Sequence, residues 1–402
     1  MRSPDSRGSE PHGVSVGNAP SDYRMSSKGF DAAKLAYTEL RRWLLEEAYP
    51  VWAQWGWDAA LGGFHERLGR DGPAIADARR VRVQWRQIYC FARAAALGWQ
   101  GSARPLVSGG LDHVFARYQR HDGLFLALLG ADGAVLEERA LLYDQAFALL
   151  ALAAAHGVLG ASAGCAARAA ALWECITGSL RAPLGFRADS ETAGPLLANP
   201  HMHLLEALLA WADIDDPPRW RRRAEAVVTL ALERLIDPAS GALRERYEPQ
   251  PAAGDPRGDP IEPGHQFEWA GLLLRFDSEQ ARLRDTALRL AEIAETHGVR
   301  AGFTVNALHA DLTVLDPEAR LWPQTERVKT LARLARLTGE VRCWGGAAQA
   351  AEALRAYFTM ARGLWYDRRM PDGSFVPEPS PASSFYHIVG AIDALGRALG
   401  ER

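Results

Sequence analysis

Apolar residues gather along the chain in long Ala/Leu-rich runs, and six of these open with a cluster of polar and aromatic side chains. They are RVQWRQIYCFARAAALG from Arg82, LYDQAFALLALAAAHG from Leu142, NPHMHLLEALLAW from Asn199, PGHQFEWAGLLLRF from Pro263, WPQTERVKTLARLARL from Trp322 and SSFYHIVGAIDALGRAL from Ser383. With Arg86, Gln145, His203, His265, Glu326 and His387 as anchors, the gaps are 59, 58, 62, 61 and 61 residues. A glycine before an apolar residue recurs with the same period at Gly63, Gly123, Gly185, Gly241, Gly302 and Gly363. The last five of these follow a second helical stretch, such as Ala166 to Leu180 or Trp220 to Leu235.

Each unit therefore reads as helix, short extended turn, helix, and six units give twelve helices. The expected fold is all-α, an (α/α)6 barrel spanning 31–402 as a single domain, with a helical solenoid as the rival arrangement. Inner helices, packed on both sides, should be apolar all round, as Ala146 to Ala155 is. The first 30 residues are rich in Ser, Gly and Pro and read as a flexible leader, with Met25 as an alternative start.

Asn199-Pro200, Pro263, Trp322-Pro323 and Ser383-Ser384 are start signals that place the polar clusters in the first turns of the inner helices. In a barrel of helical hairpins those turns meet at one mouth. Arg86, Tyr143, Asp144, Gln145, His201, His203, His265, Glu268, Trp322, Gln324, Glu326, Tyr386 and His387 would converge there. Histidines among carboxylates, amides and aromatics suit a polyhydroxylated ligand that undergoes proton transfer. A helix N-terminus should lower the pKa of a histidine, and Glu268, three residues from His265, could orient that ring. His201 and His203 are two apart, so only one can face the pocket.

Composition narrows the chemistry. With 48% hydrophobic residues and a net charge of −3 from 46 basic and 49 acidic side chains, the chain is globular and offers no attraction for nucleic acid or an anionic membrane. The basic run Arg219 to Arg223 reads as the solvated start of a surface helix. Cys90, Cys165, Cys175 and Cys343 lack metal-ligand or disulfide-scaffold spacing, which fits a reducing cytoplasm. Ala146 to Gly160 is too short and too rich in Ala and Gly to span a bilayer. No zinc, phosphate-loop, dinucleotide or serine-nucleophile motif is present, so neither metal nor cofactor is expected. Glycoside hydrolysis by Asp144, Glu268 or Glu326 is a competing reading that leaves the histidines without a role, and a non-catalytic sugar- or protein-binding barrel is another.

The ordered set VQWRQIY, NPHMHLLEA, PGHQFEW, LWPQTE and SSFYHIVGA resembles the N-acylglucosamine 2-epimerase superfamily, which includes mannose isomerases and cellobiose 2-epimerases. The resemblance covers the chain from about Asp31 to Leu399. It implies cofactor-free proton transfer at carbon 2 of a free sugar, with His265 and His387 as the acid/base pair and Glu268 supporting His265. Arg86 would stabilise the enediolate, and His203 would open the ring or hold the oxygens at carbons 1 and 2. Trp322 and Glu326 would line the sugar subsite, and Asn199, Tyr143 and Gln145 are this reading's further candidates for substrate binding. Aldose–ketose isomerisation of the mannose/fructose type is the leading expectation, followed by N-acylglucosamine and then cellobiose epimerisation. A homodimer would be ordinary for such an enzyme.

Overall fold

The computed structural model describes residues 21–248 and 259–401. Its helices, in chain order, are α1 Ser21–Trp43, α2 Tyr49–Trp55, α3 Val81–Ala96, α4 Ala103–Arg117, α5 Leu142–Leu159, α6 Cys165–Ser179, α7 Ala198–Ala212, α8 Pro217–Leu230, α9 Pro263–Phe276, α10 Ala281–Gly298, α11 Leu321–Thr338, α12 Val341–Arg355 and α13 Ala382–Leu399. A π-helical turn, Leu44–Ala48, joins α1 to α2. Of the expected leader, residues 21–30 lie in α1 and residues 1–20 lie outside the described residues.

The odd-numbered helices from α3 onward form an inner ring. Each packs on the next, and α13 packs on α3, which closes a barrel and excludes the solenoid. Burial follows from position. In the inner helix α5 an unbroken stretch from Asp144 to Ala153 is buried, whereas outer α8 buries only Trp220, Ala224, Val227 and Val228, a single helical stripe. Helix α5 is also long and apolar enough to cross a membrane, but here it is core, packed between α3 and α7.

The six turn glycines, Gly63, Gly123, Gly185, Gly241, Gly302 and Gly363, all adopt positive φ, between 69° and 85°. A side chain there would be strained. After each of these turns the chain runs over the start of an inner helix, and this explains how those starts are capped.

No N-cap side chain of an inner helix bonds its first turn. Instead, the leading N–H groups of Val81, Leu142, Ala198, Leu321 and Ala382 donate to the carbonyls of Ala127, Ala188, Glu245, Asp367 and Glu66, each from another repeat. The sixth start, Pro263, has no N–H to satisfy. The expected Asn and Ser caps are thus replaced by backbone.

Side chains fasten the same turns. Gln84, Gln145, Gln266 and Gln324 each accept the N–H and donate to the carbonyl of one turn residue, respectively Phe64, Phe125, Leu243 and Thr304. His201 accepts the Phe186 N–H in the third repeat, and the Ser380 hydroxyl serves Trp365 in the sixth. Gln145 and Gln324 are therefore buried clamps rather than sugar ligands. The clamp also corrects the register. Two residues beyond each clamping helix position stand Arg86, Phe147, His203, Glu268 and Glu326, so Phe147 and Glu268 replace Gln145 and His265 as the repeat equivalents.

Candidate active site

The first turns of the inner helices bring Arg86, Tyr143, Phe147, His203, His265, Glu268, Trp322, Glu326, Tyr386 and His387 to one end of the barrel. Arg86 sits with its guanidinium 4.2 Å from the Phe147 ring centroid and 5.2 Å from that of Tyr386. It donates to the Ser383 carbonyl at 3.1 Å and to the Tyr143 hydroxyl at 2.5 Å. Aromatic faces and two oxygen acceptors thus hold a desolvated cation in a fixed direction.

His387 of α13 meets Glu326 of α11, with Nδ1 2.8 Å from Oε1. An Nδ1–H donated to that carboxylate leaves Nε2 bare for proton abstraction. The other Glu326 oxygen lies 2.6 Å from Lys329 Nζ. Burial, reinforced by the charges of Arg86 and Lys329, holds the His387 pKa well below the usual imidazole value. Glu326 is fully buried behind the histidine, so it positions His387 instead of lining a sugar subsite.

His265 is perturbed the other way. Its Nδ1 lies 2.7 Å from Glu245 Oε2 and 3.6 Å from Glu262 Oε2. Burial opposes a charge on the ring, but Glu245, with Glu262 and Glu268 further off, outweighs it and pushes the pKa up to about 10. The expected lowering by the helix N-terminus is overturned at this residue, because two close carboxylates exceed a partial dipole charge. The expected partner is overturned too. Glu268 does not pair with His265, and its nearest imidazole nitrogen is His203 Nδ1 at 3.8 Å.

His203 also approaches Glu206 Oε2 at 3.3 Å, and the Tyr386 hydroxyl donates to that same carboxylate. Burial lowers the His203 pKa to about 4 although Glu206 pulls it upward. Both Glu268 oxygens are buried without a hydrogen-bond partner. Burial and the neighbouring Glu326 carboxylate push the Glu268 pKa up, well above the ordinary carboxylate value. His201, by contrast, turns away into its clamp, with Nδ1 2.7 Å from the Leu197 carbonyl.

Trp322 lies against both basic rings, its centroid 5.0 Å from His265 and 5.8 Å from His387. The Asn199 Oδ1 is buried and unpartnered. Two groups of donor atoms, His203 with Glu206 and Glu268, and His265 with Glu245 and Glu262, are close enough to hold a cation. In both the carboxylates already face a histidine, and Lys329 adds a positive charge beside Glu206, Glu268 and Glu326. Sequence periodicity missed Glu206, Glu245, Glu262 and Lys329. Glu206 and Lys329 lie one helical turn below the clusters that were read, and Glu245 sits in a turn outside any helix.

A family model described as N-acylglucosamine 2-epimerase (GlcNAc 2-epimerase) matches residues 62–391. A protein of Rhizobium meliloti named mannose-6-phosphate isomerase is 42% identical over 375 residues, covering 90% of this chain and 97% of that protein. A D-mannose isomerase of Thermobifida fusca is 32% identical over 251 residues, covering 56% of this chain and 61% of its own. In fold, the chain is similar to cellobiose 2-epimerase from Spirochaeta thermophila DSM 6192, with a TM-score of 0.79 and 20% identity over 92% of this chain and 98% of the other.

Proposed function

The chain belongs to the N-acylglucosamine 2-epimerase family and is a sugar isomerase, and from that premise we propose that it interconverts a free aldose and its ketose, of the mannose/fructose type, without a cofactor. The observation that carries the reading is a pair of buried histidines against Trp322, each with its Nδ1 on a carboxylate, Glu245 at His265 and Glu326 at His387. At neutral pH His387 is a neutral base and His265 a charged acid.

The chemistry follows from these states. His265 opens the ring by giving a proton to the ring oxygen while neutral His203 takes the proton of the anomeric hydroxyl, and both transfers reverse as the product ring closes. His387 Nε2 takes the proton from carbon 2, and the electron pair moves onto oxygen 1. Arg86 stabilises the resulting enediolate across a desolvated gap, where its charge counts for most. The proton on oxygen 2 passes to oxygen 1, carbon 1 recovers a proton from His387, and a ketose results. Tyr143, Trp322 and Asn199, whose Oδ1 lacks a partner, are the sugar contacts.

A free sugar is favoured over a phosphorylated one because arginines at the mouth are committed. Arg80 lies 2.7 Å from Glu66, Arg82 3.1 Å from Asp144 and Arg320 3.3 Å from Asp367. A phosphate there would compete with carboxylates. The Gly- and Pro-containing loops 247–260 and 371–381 would shape substrate choice, and 249–258 lie outside the described residues. The unpaired state of all four cysteines supports a reducing, cytoplasmic location.

The test is proton NMR in deuterated water with mannose, fructose, glucose, N-acetylmannosamine and mannose 6-phosphate, beside a His387→Ala control. Deuterium entering carbon 1 of fructose formed from mannose, and lost in the control, is the expected result. Exchange confined to carbon 2 of N-acetylmannosamine would make the enzyme an epimerase. Turnover of mannose 6-phosphate alone would overturn the free-sugar reading.

A further inference from the structure

The barrel is open at its other end as well. Below Glu206, Glu268 and Glu326 a cavity of about 270 Å³ is lined by the later turns of all six inner helices. Its charges fall into two layers. The upper layer is Lys329 against the three glutamates just named. The lower layer holds Arg93, Arg275, Arg333 and Arg397 against two aspartates, Asp213 and Asp393.

The lower layer is not balanced. Asp393 lies 3.0 Å from Arg93 and 2.7 Å from Arg397, and Asp213 lies 2.8 Å from Arg275. Arg333, among the described residues, has a single acceptor, the Gly271 carbonyl at 3.0 Å. It faces Arg275 and Arg397, and burial together with these like charges pushes its pKa down to about 10. Arginines near helix C-termini offset the helix dipole, which accounts for Arg275 and Arg397 in the last turns of α9 and α13. That does not account for Arg333, set more than a turn inside α11 and directed at other arginines.

We propose that this far-end cavity is a binding site for a small phosphate-bearing anion, distinct from the sugar pocket, and that its occupancy reaches His387 through Lys329 and Glu326. A tetrahedral oxyanion offers the charged acceptor that Arg333 lacks and the counter-charge that four guanidinium groups against two aspartates leave unmet. Exposed Asp213 and Arg397 at the rim leave it an entrance. The link upward is short. Lys329 lines the cavity, contacts Glu326 at 2.6 Å, and Glu326 holds His387 at 2.8 Å. His387 is faced by Arg86 of α3, His203 and Glu206 of α7, and Glu326 and Lys329 of α11, and it neighbours Tyr386 on α13. An anion below Lys329 weakens the positive field at that ring, which raises its proton affinity.

The experiment is calorimetric titration of the full chain, at constant ionic strength and with saturating fructose in the sugar pocket, using inorganic phosphate in one arm and glycerol phosphate in the other. We expect saturable binding at one site, weakened by roughly tenfold or more in Arg275→Gln/Arg333→Gln. Ala394→Glu, which places a carboxylate in the cavity, should also abolish it and serves if the double variant does not fold. Binding of glycerol phosphate alone identifies a phosphorylated metabolite rather than the free ion. No saturable binding in either arm, or binding unchanged in both variants, overturns the proposal. A second readout, movement of the acid limb of the rate to higher pH with phosphate, rests on the proposed function. The titration uses fructose only to fill the sugar pocket, and the two far-end variants locate the anion whether or not fructose binds, so the two can fail separately.

Discussion

Glu245 Oε2 stands 2.7 Å from His265 Nδ1, and the backbone carbonyl of the same residue accepts the leading N–H of α7. One turn residue thereby fixes a helix start and the charge state of the histidine across the mouth. Replacing it by glutamine keeps the backbone bond and removes the nearest counter-charge.

For Glu245→Gln the His265 pKa should fall from about 10 toward the ordinary imidazole range. In the wild-type enzyme the alkaline limb of kcat/KM should lie near pH 10, where His265 loses its proton. In the variant it should move toward neutrality, with activity at acidic pH largely retained. The folded-state pKa of His265 is raised, so its contribution to stability is complete below the unfolded imidazole value and disappears as pH rises through about 10. Denaturant midpoints of the two proteins should therefore converge at high pH. An unmoved alkaline limb would assign the acid role elsewhere.

Glu326→Gln tests the other histidine. The carboxylate holds Nδ1–H and leaves Nε2 bare, whereas an amide can present either end and lets the unproductive tautomer form. We expect kcat to fall by about 10²-fold or more with a smaller change in KM, as general-base catalysis is lost. Lys329 loses its partner as well, so a circular dichroism melt should accompany the kinetics. A KM effect alone would return Glu326 to the sugar subsite.

These two carboxylates mark where sequence reading stops. The barrel was legible because its cause is periodic: six apolar runs, six glycines with positive φ, and a repeat of about 60 residues. The mouth was legible for the same reason, since helices in parallel carry their first turns to one end. What periodicity does not encode is which of two neighbouring positions turns inward. Gln145 and His265 fit the spacing as anchors, yet the first is a turn clamp two positions before Phe147 and the second lies three positions before Glu268. Partners contributed by turns, such as Glu245, carry no helical signal at all.

Gln145→Leu separates scaffold from site. The clamp supplies both bonds to Phe125 in a fully buried setting, so its loss leaves a backbone N–H and carbonyl without partners. Unsatisfied buried groups of this kind cost about 1–3 kcal/mol each. Urea unfolding should show a lower midpoint, while KM for the sugar stays near the wild-type value. A large rise in KM with unchanged stability would restore Gln145 as a sugar ligand.

His201→Gln exploits the one clamp that can titrate. In four repeats the turn is held by glutamine, and in this one His201 Nε2 accepts the Phe186 N–H while Nδ1 faces the Leu197 carbonyl. Burial lowers its pKa to about 4, so the ring must stay neutral in the folded protein. The unfolded chain takes up a proton near pH 6.5 and the folded one does not, so stability falls as pH drops from there toward 4. The loss is on the order of 1–3 kcal/mol across that range. Glutamine supplies the same acceptor without a titrating group. The variant should fold and turn over like the wild type at pH 7.5, and its midpoint should fall less between pH 6.5 and 4.5. Equal acid sensitivity in the two proteins would mean that other groups, such as the buried neutral His203, govern the transition.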